Sequence, residues 1–534
     1  MFALTSLHSP WAYLPLAVAV IAAGQQSSLT DDKAGPFTLA FERLANETLE
    51  LWQVPGISVA VVDGDDVWAE GYGFATLPDV KATPETLWYA GSTTKAFTAA
   101  VLATLVDDNS SYSHVQWDTP ISALIHDDFV LQDDYVTSHV TIEDALSHRT
   151  GMPRHEFSYG GYYSGHKAVP RDIVRSLRHL PLTFEPRTTF SYCNTMYVVA
   201  SHVVETLTGS WLGDVIYERI WKPIGMESTY FSTEAALQAP EPVAQGYTRI
   251  SHGNYQAVPY MDLTDISGAG SVISNVLDYA KWIKALVSNT VPLSPASMKS
   301  IWKGRSIVPE PQDGWAYTGE GVYALGWVVR NYKGYQIVEH SGGMEAFSTE
   351  LILIPELKYG VIGFGNTATT ASYAELRLLW HLIDEKLGIP ESERWDWNKE
   401  NQKSVQKTID DYNNAISLYY PHLPSPKLPL TLPIAAYTGT YHNAGYQNMT
   451  VTLTSEGTLH IDRTNAAWKM QVNLEHVSGD YFIARLDSSV APGSLFKEAV
   501  AAEFRIGSDG VPVEFGLAAE PTMGKEGRIW FKRI

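Results

Sequence analysis

The spacing of apolar residues along the chain changes between helical and strand-like, and these changes define the predicted elements. Residues 36–53 have helical spacing, and strand-like runs at 56–62 and 67–73 flank an Asp-Gly turn, which predicts a helix followed by a β-hairpin. Helical spacing returns further along the chain and predicts helices over residues 92–106, 140–146, 191–208, 211–220, 275–287 and 372–387.

A second group of strands is predicted before the last of these helices. The strand-like runs cover residues 323–330, 335–339, 348–354 and 359–365. We expect these strands to complete one antiparallel sheet with the N-terminal hairpin, and the helices to flank that sheet. The fold class predicted for the first domain, residues 36–390, is therefore α+β.

The last part of the chain predicts a separate all-β domain. A polar helix over residues 397–419 precedes five prolines between positions 421 and 433, so residues 391–433 are predicted to be a helix and an extended linker. Residues 434–534 then contain about eight short strand-like runs separated by turn signals. This pattern predicts a small barrel or a sandwich and does not decide between them.

The N-terminal sequence and the composition restrict the expected cellular location and the expected binding partners. An apolar run from residue 11 to 24 is followed by polar residues, which predicts a signal peptide over residues 1–24 and secretion. A cytoplasmic protein and an uncleaved membrane anchor are the alternatives, because no Lys or Arg precedes the run. The net charge of −21 argues against nucleic acid and against a stable partnership with anionic membranes. The only cysteine, Cys193, excludes an intramolecular disulfide.

The strongest candidate for chemistry is Ser92, at the start of the helix predicted over residues 92–106. Its hydroxyl would lie beside the unpaired N–H groups of the first helical turn. Lys95 follows three residues later and shares one helical face with it, an arrangement that suits a serine nucleophile whose proton passes to a desolvated lysine amine. The Ser-x-x-Lys pattern alone is a weak signal, because it also begins at Ser164, Ser300, Ser404 and Ser494.

The segment Tyr192-Cys193-Asn194 begins the helix predicted from residue 191. Tyr192 is a candidate second base or proton shuttle if neighbouring cations lower its pKa. Asn194 is a candidate hydrogen-bond partner of Lys95 and of a substrate amide. Cys193 is expected to point into the core, since a buried thiol usually behaves as a small apolar side chain.

The segment His340-Ser341-Gly342-Gly343 ends a predicted strand. Glycine lets the backbone approach a bound carbonyl closely, so the N–H groups of Gly343 and Ser92 are candidates for an oxyanion hole. His340 and Ser341 are candidate substrate-binding residues, and His340 could also relay a proton. The chain has no spacing typical of metal ligands.

In this order, the three motifs resemble those of the β-lactamase and penicillin-binding-protein-like serine hydrolases. The resemblance covers residues 36–386 and is strongest to the branch with class C β-lactamases, family VIII esterases, D-aminopeptidases and fungal transesterases. It is also carried by the segments Leu146–Met152, Pro223–Met226 and Ala324–Trp327. The C-terminal region resembles the lipocalin-like domain appended to some of these hydrolases.

The resemblance implies acyl-enzyme chemistry on a small-molecule ester or amide. It implies that Ser92 is the nucleophile, that Lys95 and Tyr192 share the proton transfers, and that no metal or cofactor takes part. Histidine at 340 replaces the lysine of the third family motif, which argues against β-lactamase or carboxypeptidase activity. An esterase or small-amide hydrolase is therefore expected.

Several alternatives stay open at this point. The same residues would serve an acyltransferase or transesterase, a D-aminopeptidase or a β-lactamase. A binding protein that kept the fold and lost turnover is an alternative of another class, although drift would most easily have erased Ser92, Lys95 and Tyr192. The sequence does not decide the oligomeric state, or whether the second domain covers the cleft, restricts substrate size or mediates oligomerisation.

Overall fold

The first domain is built on a nine-stranded antiparallel sheet, which confirms the predicted α+β class. The computed structural model describes residues 35–163, 165–309, 316–492 and 497–534, and the predicted signal peptide lies outside these ranges. In the sheet order β4-β5-β6-β7-β8-β9-β1-β2-β3, the strands are β1 (Gly56–Asp63), β2 (Asp66–Thr76), β3 (Val80–Lys81), β4 (Ser306–Val308), β5 (Gly321–Tyr323), β6 (Val328–Tyr332), β7 (Tyr335–Met344), β8 (Phe347–Ile354) and β9 (Tyr359–Gly365).

Helices cover both faces of this sheet because its central strands are apolar on both sides. The long helices are α1 (Leu39–Trp52), α2 (Thr94–Asp107), α3 (Asn194–Thr208), α4 (Val276–Val287), α5 (Thr370–Leu387) and α6 (Trp397–Asn413). Ile57, Val59 and Val61 of β1 pack in one buried cluster with residues of α1 and α5. Ala60 and Val62 alternate with them and belong to the cluster on the opposite face, which includes α4.

Shorter helices fill the connections between these elements. Within the described ranges, no helix has both the length and the apolar character needed to cross a membrane. The predicted helix over residues 211–220 is a short helix that continues as a π-helical turn, Tyr217–Trp221. The short helices are Ile121–Leu124, Asp134–His139, Ile142–Leu146, Pro170–Ser176, Leu212–Ile216, Lys222–Ile224, Thr233–Leu237, Pro295–Ile301 and Ala415–Tyr419.

The prediction of one strand over residues 323–330 is wrong, because the chain turns between β5 and β6. Gly326 has a φ of 78°, a backbone conformation that favours glycine. A Cβ atom at this position would lie 2.8 Å from the carbonyl oxygen of Lys95. The turn therefore packs against the first turn of α2, a long-range contact that the apolar sequence Ala-Leu-Gly-Trp did not indicate.

The C-terminal domain is a closed barrel, which settles the choice between barrel and sandwich. All neighbouring strands pair antiparallel. Buried aromatic side chains pack against one another, as shown by Phe504, whose ring centroid lies 5.1 Å from that of Tyr437 and 4.9 Å from that of Phe515. The strands are β10 (Gly439–Asn443), β11 (Gln447–Leu453), β12 (Leu459–Arg463), β13 (Met470–Ser478), β14 (Tyr481–Ser488), β15 (Glu498–Ile506), β16 (Pro512–Leu517) and β17 (Ile529–Arg533).

Candidate active site

Ser92 lies in a tight turn at the N-terminus of α2. The 3-10 turn Gly91–Thr93 leads directly into this helix, which is buried on nearly all sides. The residues before the turn, Trp88–Tyr89, pair with Ile273–Ser274 as a short antiparallel ribbon. The turn is therefore held from both sides, and Ser92 faces a cavity.

Lys95 is fully buried beneath Ser92. Its Nζ atom lies 2.9 Å from Ser92 Oγ and donates a hydrogen bond of 2.7 Å to the carbonyl of Ala269. That carbonyl is in a 3-10 turn whose Gly268 oxygen accepts a hydrogen bond from the Thr98 hydroxyl of α2. Burial lowers the pKa of Lys95 well below its ordinary value of 10.5, and the charge of Arg154 acts in the same direction. These effects favour the neutral amine, which can accept a proton.

Tyr192 completes the group around the same hydroxyl. It donates a hydrogen bond of 2.9 Å to Ser92 Oγ from a position just before α3. His148 holds the backbone on both sides of Tyr192: its carbonyl accepts from the N–H of Ser191 at 2.8 Å and its Nδ1 from the N–H of Cys193 at 3.1 Å. Cys193 itself is fully buried, as predicted.

The condition for Tyr192 to act as a second base, a pKa lowered by neighbouring cations, is not met. Burial raises the pKa of this phenol above its ordinary value, and the hydrogen bond to Ser92 and the charge of Arg154 offset the effect only in part. Tyr192 is therefore a neutral hydroxyl that can donate a proton, or relay one, rather than a second base.

Asn194 does not form the predicted hydrogen bond with Lys95, whose amine contacts Ser92 and Ala269. Its side-chain N–H donates a hydrogen bond of 3.0 Å to Glu156 Oε1. Its Oδ1 atom is buried and has no hydrogen-bond partner among the described residues. Asn194 nevertheless lines the cavity at Ser92, so its contact with a substrate amide stays a prediction.

The third motif forms the last part of β7, as predicted, and the strand extends beyond the predicted residues 335–339. A Cβ atom at Gly342 would collide with the carbonyl of Ala90, and one at Gly91 would lie 2.7 Å from the backbone nitrogen of Gly343. The absence of these side chains lets β7 pass directly beside the turn that contains Ser92. Ser341 and Gly343 both line the cavity.

His340 is a neutral ring in this arrangement. Its Nδ1 lies 2.6 Å from the carbonyl oxygen of Ser341, and its Nε2 lies 2.7 Å from the Tyr323 hydroxyl. A carbonyl only accepts, so Nδ1 carries the proton and Nε2 accepts from Tyr323. Burial, together with the charge of Lys95, lowers the pKa of His340 to about 3. The position of the family lysine therefore carries no cation.

Two charged residues that the sequence analysis did not single out also line the cavity. Arg154 and Glu156 form an ion pair of 2.9 Å, and the Arg154 guanidinium lies 4.9 Å from the centre of the Tyr192 ring. Neither residue belongs to the three motifs. The available signal was a pair of opposite charges two residues apart, soon after the family segment Leu146–Met152.

The cavity has a volume of about 590 Å³ and lies between the two domains. The barrel therefore covers part of the cleft, one of the three roles that the sequence left open. Within the described ranges, no three His, Cys, Asp or Glu side chains are grouped so that they could hold a metal ion. The barrel's lining residues are Trp468, Lys469, Met470, Leu486, Asp487, Ser488, Ala491 and Glu498.

Comparisons with protein families and curated relatives agree with this two-part architecture. Residues 41–385 match the family model described as Beta-lactamase, and residues 423–533 match a model described as a domain of unknown function, DUF3471. The chain is 45% identical to the unguisins hydrolase ungD' of Aspergillus campestris over 95% of this chain and 94% of the relative. It is 42% identical to the unguisins hydrolase ungD of Aspergillus violaceofuscus, over 95% and 92%.

Solved structures show the same fold at low sequence identity. The octameric penicillin-binding protein homologue from Pyrococcus abyssi has a TM-score of 0.58 and 23% identity, covering 92% of this chain and 99% of that chain. The D-amino acid amidase from Ochrobactrum anthropi SV3 has a TM-score of 0.53 and 22% identity, covering 65% and 99%. The first of these likenesses extends over both domains.

Proposed function

Because this chain belongs to the Beta-lactamase family of serine hydrolases, we propose that it is a hydrolase that forms an acyl-enzyme on Ser92. The observation that carries this proposal is the position of the Ser92 hydroxyl, 2.9 Å from both the amine of Lys95 and the phenol of Tyr192. One nucleophile, one base and one proton donor therefore meet at a single oxygen.

The first step uses the neutral amine of Lys95. A neutral amine has two hydrogens and one lone pair, and one of the hydrogens is donated in a hydrogen bond to the Ala269 carbonyl. The lone pair accepts the Ser92 proton while Oγ attacks the substrate carbonyl. Tyr192 then passes its proton to the leaving group, and the Lys95 ammonium, whose Nζ atom lies 4.9 Å from the centre of the Tyr192 ring, returns a proton to the phenolate. These transfers need no group other than the three around Ser92.

The negative charge that develops on the substrate oxygen needs hydrogen-bond donors. We assign this role to the N–H groups of Ser92 and Gly343, because the Gly342–Gly343 backbone packs against the turn that contains Ser92. Each such donor contributes roughly 3 kcal/mol to transition-state stabilisation. Water then attacks the acyl-enzyme, Lys95 takes a proton from this water and returns it to Ser92 Oγ, and the acid is released.

The substrate class follows from the relatives and from the cleft. Both Aspergillus relatives carry the name unguisins hydrolase, so unguisins or closely similar compounds are the proposed substrates. The cavity is large, and Phe157, Met344, Trp468 and Leu486 form apolar parts of its wall. The neutral His340 suits a scissile bond without an adjacent carboxylate. These features favour a bulky, largely uncharged amide or ester.

The test is product analysis after incubation with purified unguisins. The summed mass of the products should exceed that of the substrate by one water, and the Ser92→Ala variant should give no product. An acyl group recovered on an added amine or alcohol would instead identify an acyltransferase. Unchanged unguisins together with rapid cleavage of a p-nitrophenyl ester would retain the serine hydrolase and reject this substrate.

A further inference from the structure

A buried arginine of the barrel contacts the segment that carries Arg154 and Glu156. We call residues 154–163 the cleft flap. We propose that Arg463 is a positioning residue for the active site, because it holds the cleft flap against Ser92 and its neighbours from the other domain. The catalytic part of this inference rests on the proposed function.

Arg463, the last residue of β12, is buried with 8% of its surface exposed. Its Nη1 atom donates a hydrogen bond of 2.7 Å to the carbonyl of Phe157, and its Nη2 donates one of 3.5 Å to the carbonyl of Tyr446. Among the described residues, no carboxylate pairs with it, and burial lowers its pKa to about 10. A buried guanidinium without a counterion depends on such carbonyl contacts, because it has lost its water.

Two further barrel residues hold the flap one residue away from Arg154. The backbone N–H of His155 donates a hydrogen bond of 2.8 Å to Glu520 Oε2, and the Tyr446 hydroxyl lies 2.5 Å from His155 Nδ1. His155 has a φ of 46°, in the left-handed region that residues other than glycine rarely adopt. These contacts fix the backbone between the two charged residues that line the cavity.

The remainder of the flap is joined to the barrel by backbone hydrogen bonds. The N–H of Ala467 donates to the carbonyl of Tyr159 at 3.1 Å, and the N–H of Gly161 donates to the carbonyl of Asn465 at 3.2 Å. The flap therefore follows the barrel segment between β12 and β13. That segment continues into Trp468 and Lys469, which line the same cavity.

The flap in turn sets the surroundings of the reacting groups. Glu156 Oε1 accepts hydrogen bonds from both Asn194 and Arg154. The Arg154 guanidinium lies over the ring of Tyr192, whose hydroxyl contacts Ser92. A shift of the flap would therefore change the charge beside Tyr192 and the partner of Asn194. Small displacements of such groups are enough to slow an enzyme.

The test compares three full-length variants. Arg463→Met removes the flap contact, and Arg463→Lys keeps a cation that can still donate to Phe157. Arg533→Met is the matched control, because Arg533 also donates to backbone carbonyls, but only within the C-terminal domain, at Ala436, Thr438 and Pro512. Thermal unfolding, hydrogen exchange of the flap peptide and p-nitrophenyl ester hydrolysis are measured for each variant.

Arg463→Met should speed hydrogen exchange in residues 154–163, lower kcat by about tenfold and shift the pH profile of kcat. In Arg533→Met, the exchange, kcat and pH profile should all stay near those of the wild type. Arg463→Lys should recover part of the loss. Equal exchange in the flap for Arg463→Met and Arg533→Met would overturn the inference, and so would faster exchange with unchanged kcat. If the wild type shows no Ser92-dependent hydrolysis, the proposed function and the catalytic part of the inference both fail, and the exchange comparison still decides whether Arg463 orders the flap.

Discussion

The hydroxyl of Tyr323 lies 2.7 Å from Nε2 of His340, which accepts its hydrogen bond because Nδ1 carries the proton of the neutral ring. The other ring nitrogen donates to the Ser341 carbonyl, so a second proton on His340 would lie on Nε2 and reverse the bond with Tyr323. Burial lowers the pKa of His340 to about 3, so the ring stays neutral throughout the physiological range. The side chain at position 340 therefore provides no cation with which to hold a carboxylate.

The first prediction concerns substrate charge. A substrate with a carboxylate beside the scissile bond should have a kcat/KM about tenfold lower than its methyl ester, because the buried carboxylate gains no partner at His340. In the His340→Lys variant, kcat/KM for the acid should rise relative to kcat/KM for the methyl ester. The measurement is a pair of rate constants for the acid and the ester of one compound. A wild-type preference for the acid would contradict the assignment of His340 as neutral.

The second prediction concerns the base. Lys95→Met should lower kcat/KM by about a thousandfold, and Lys95→Arg should not restore it, since a guanidinium does not give up its proton. In the wild type, kcat/KM should fall as the pH falls through the lowered pKa of Lys95, because protonation removes the base. A series of kcat/KM measurements from pH 4 to 10 tests for this decrease. Substantial activity in Lys95→Arg would rule out the proposed role of the amine.

The third prediction concerns the phenol. Tyr192→Phe removes the hydroxyl 2.9 Å from Ser92 Oγ and should lower kcat by about a hundredfold, with little change in thermal stability. Tyr135→Phe is a suitable control, because Tyr135 is 60% exposed and does not line the cleft. Steady-state kinetics of both variants on one ester decide the matter. Equal, small effects on kcat in the two variants would show that Tyr192 contributes only packing and no proton transfer.

The fourth prediction concerns the barrel's part of the cleft wall. Trp468→Ala removes a large apolar surface from the cavity and should raise KM about fivefold for bulky apolar substrates, and less for an acetate ester. The experiment measures KM for a series of p-nitrophenyl esters of increasing acyl size. A uniform change across the series would argue against a role of Trp468 in substrate selection.

Much of the fold could be predicted because its helices and strands follow from short-range patterns in the sequence. The hairpin β1–β2 and helix α1 follow from residue spacing and one Asp-Gly turn, and the barrel strands follow from repeated turn signals. The break between β5 and β6 could not be predicted in this way. It depends on the approach of Gly326 to the backbone of Lys95, which only the folded chain reveals.

The residues that meet around Ser92 were partly predictable for a similar reason. Motif order and spacing pointed to Ser92, Lys95 and Tyr192, and the structure brings these three together. The direction of the Tyr192 pKa depends on burial, and the partner of Asn194 depends on how the chain places Glu156, and residue spacing predicts neither. The contribution of the barrel to the cleft was equally hidden, since it is set by how the two domains pack.

The account depends most directly on Ser92 as the nucleophile. The measurement is labelling of the full chain with a fluorophosphonate, followed by mass mapping of the modified peptide. We predict one adduct, on Ser92, with parallel loss of ester hydrolysis, and neither labelling nor hydrolysis in Ser92→Ala. An adduct on another residue, or hydrolysis that persists in Ser92→Ala, would contradict the account.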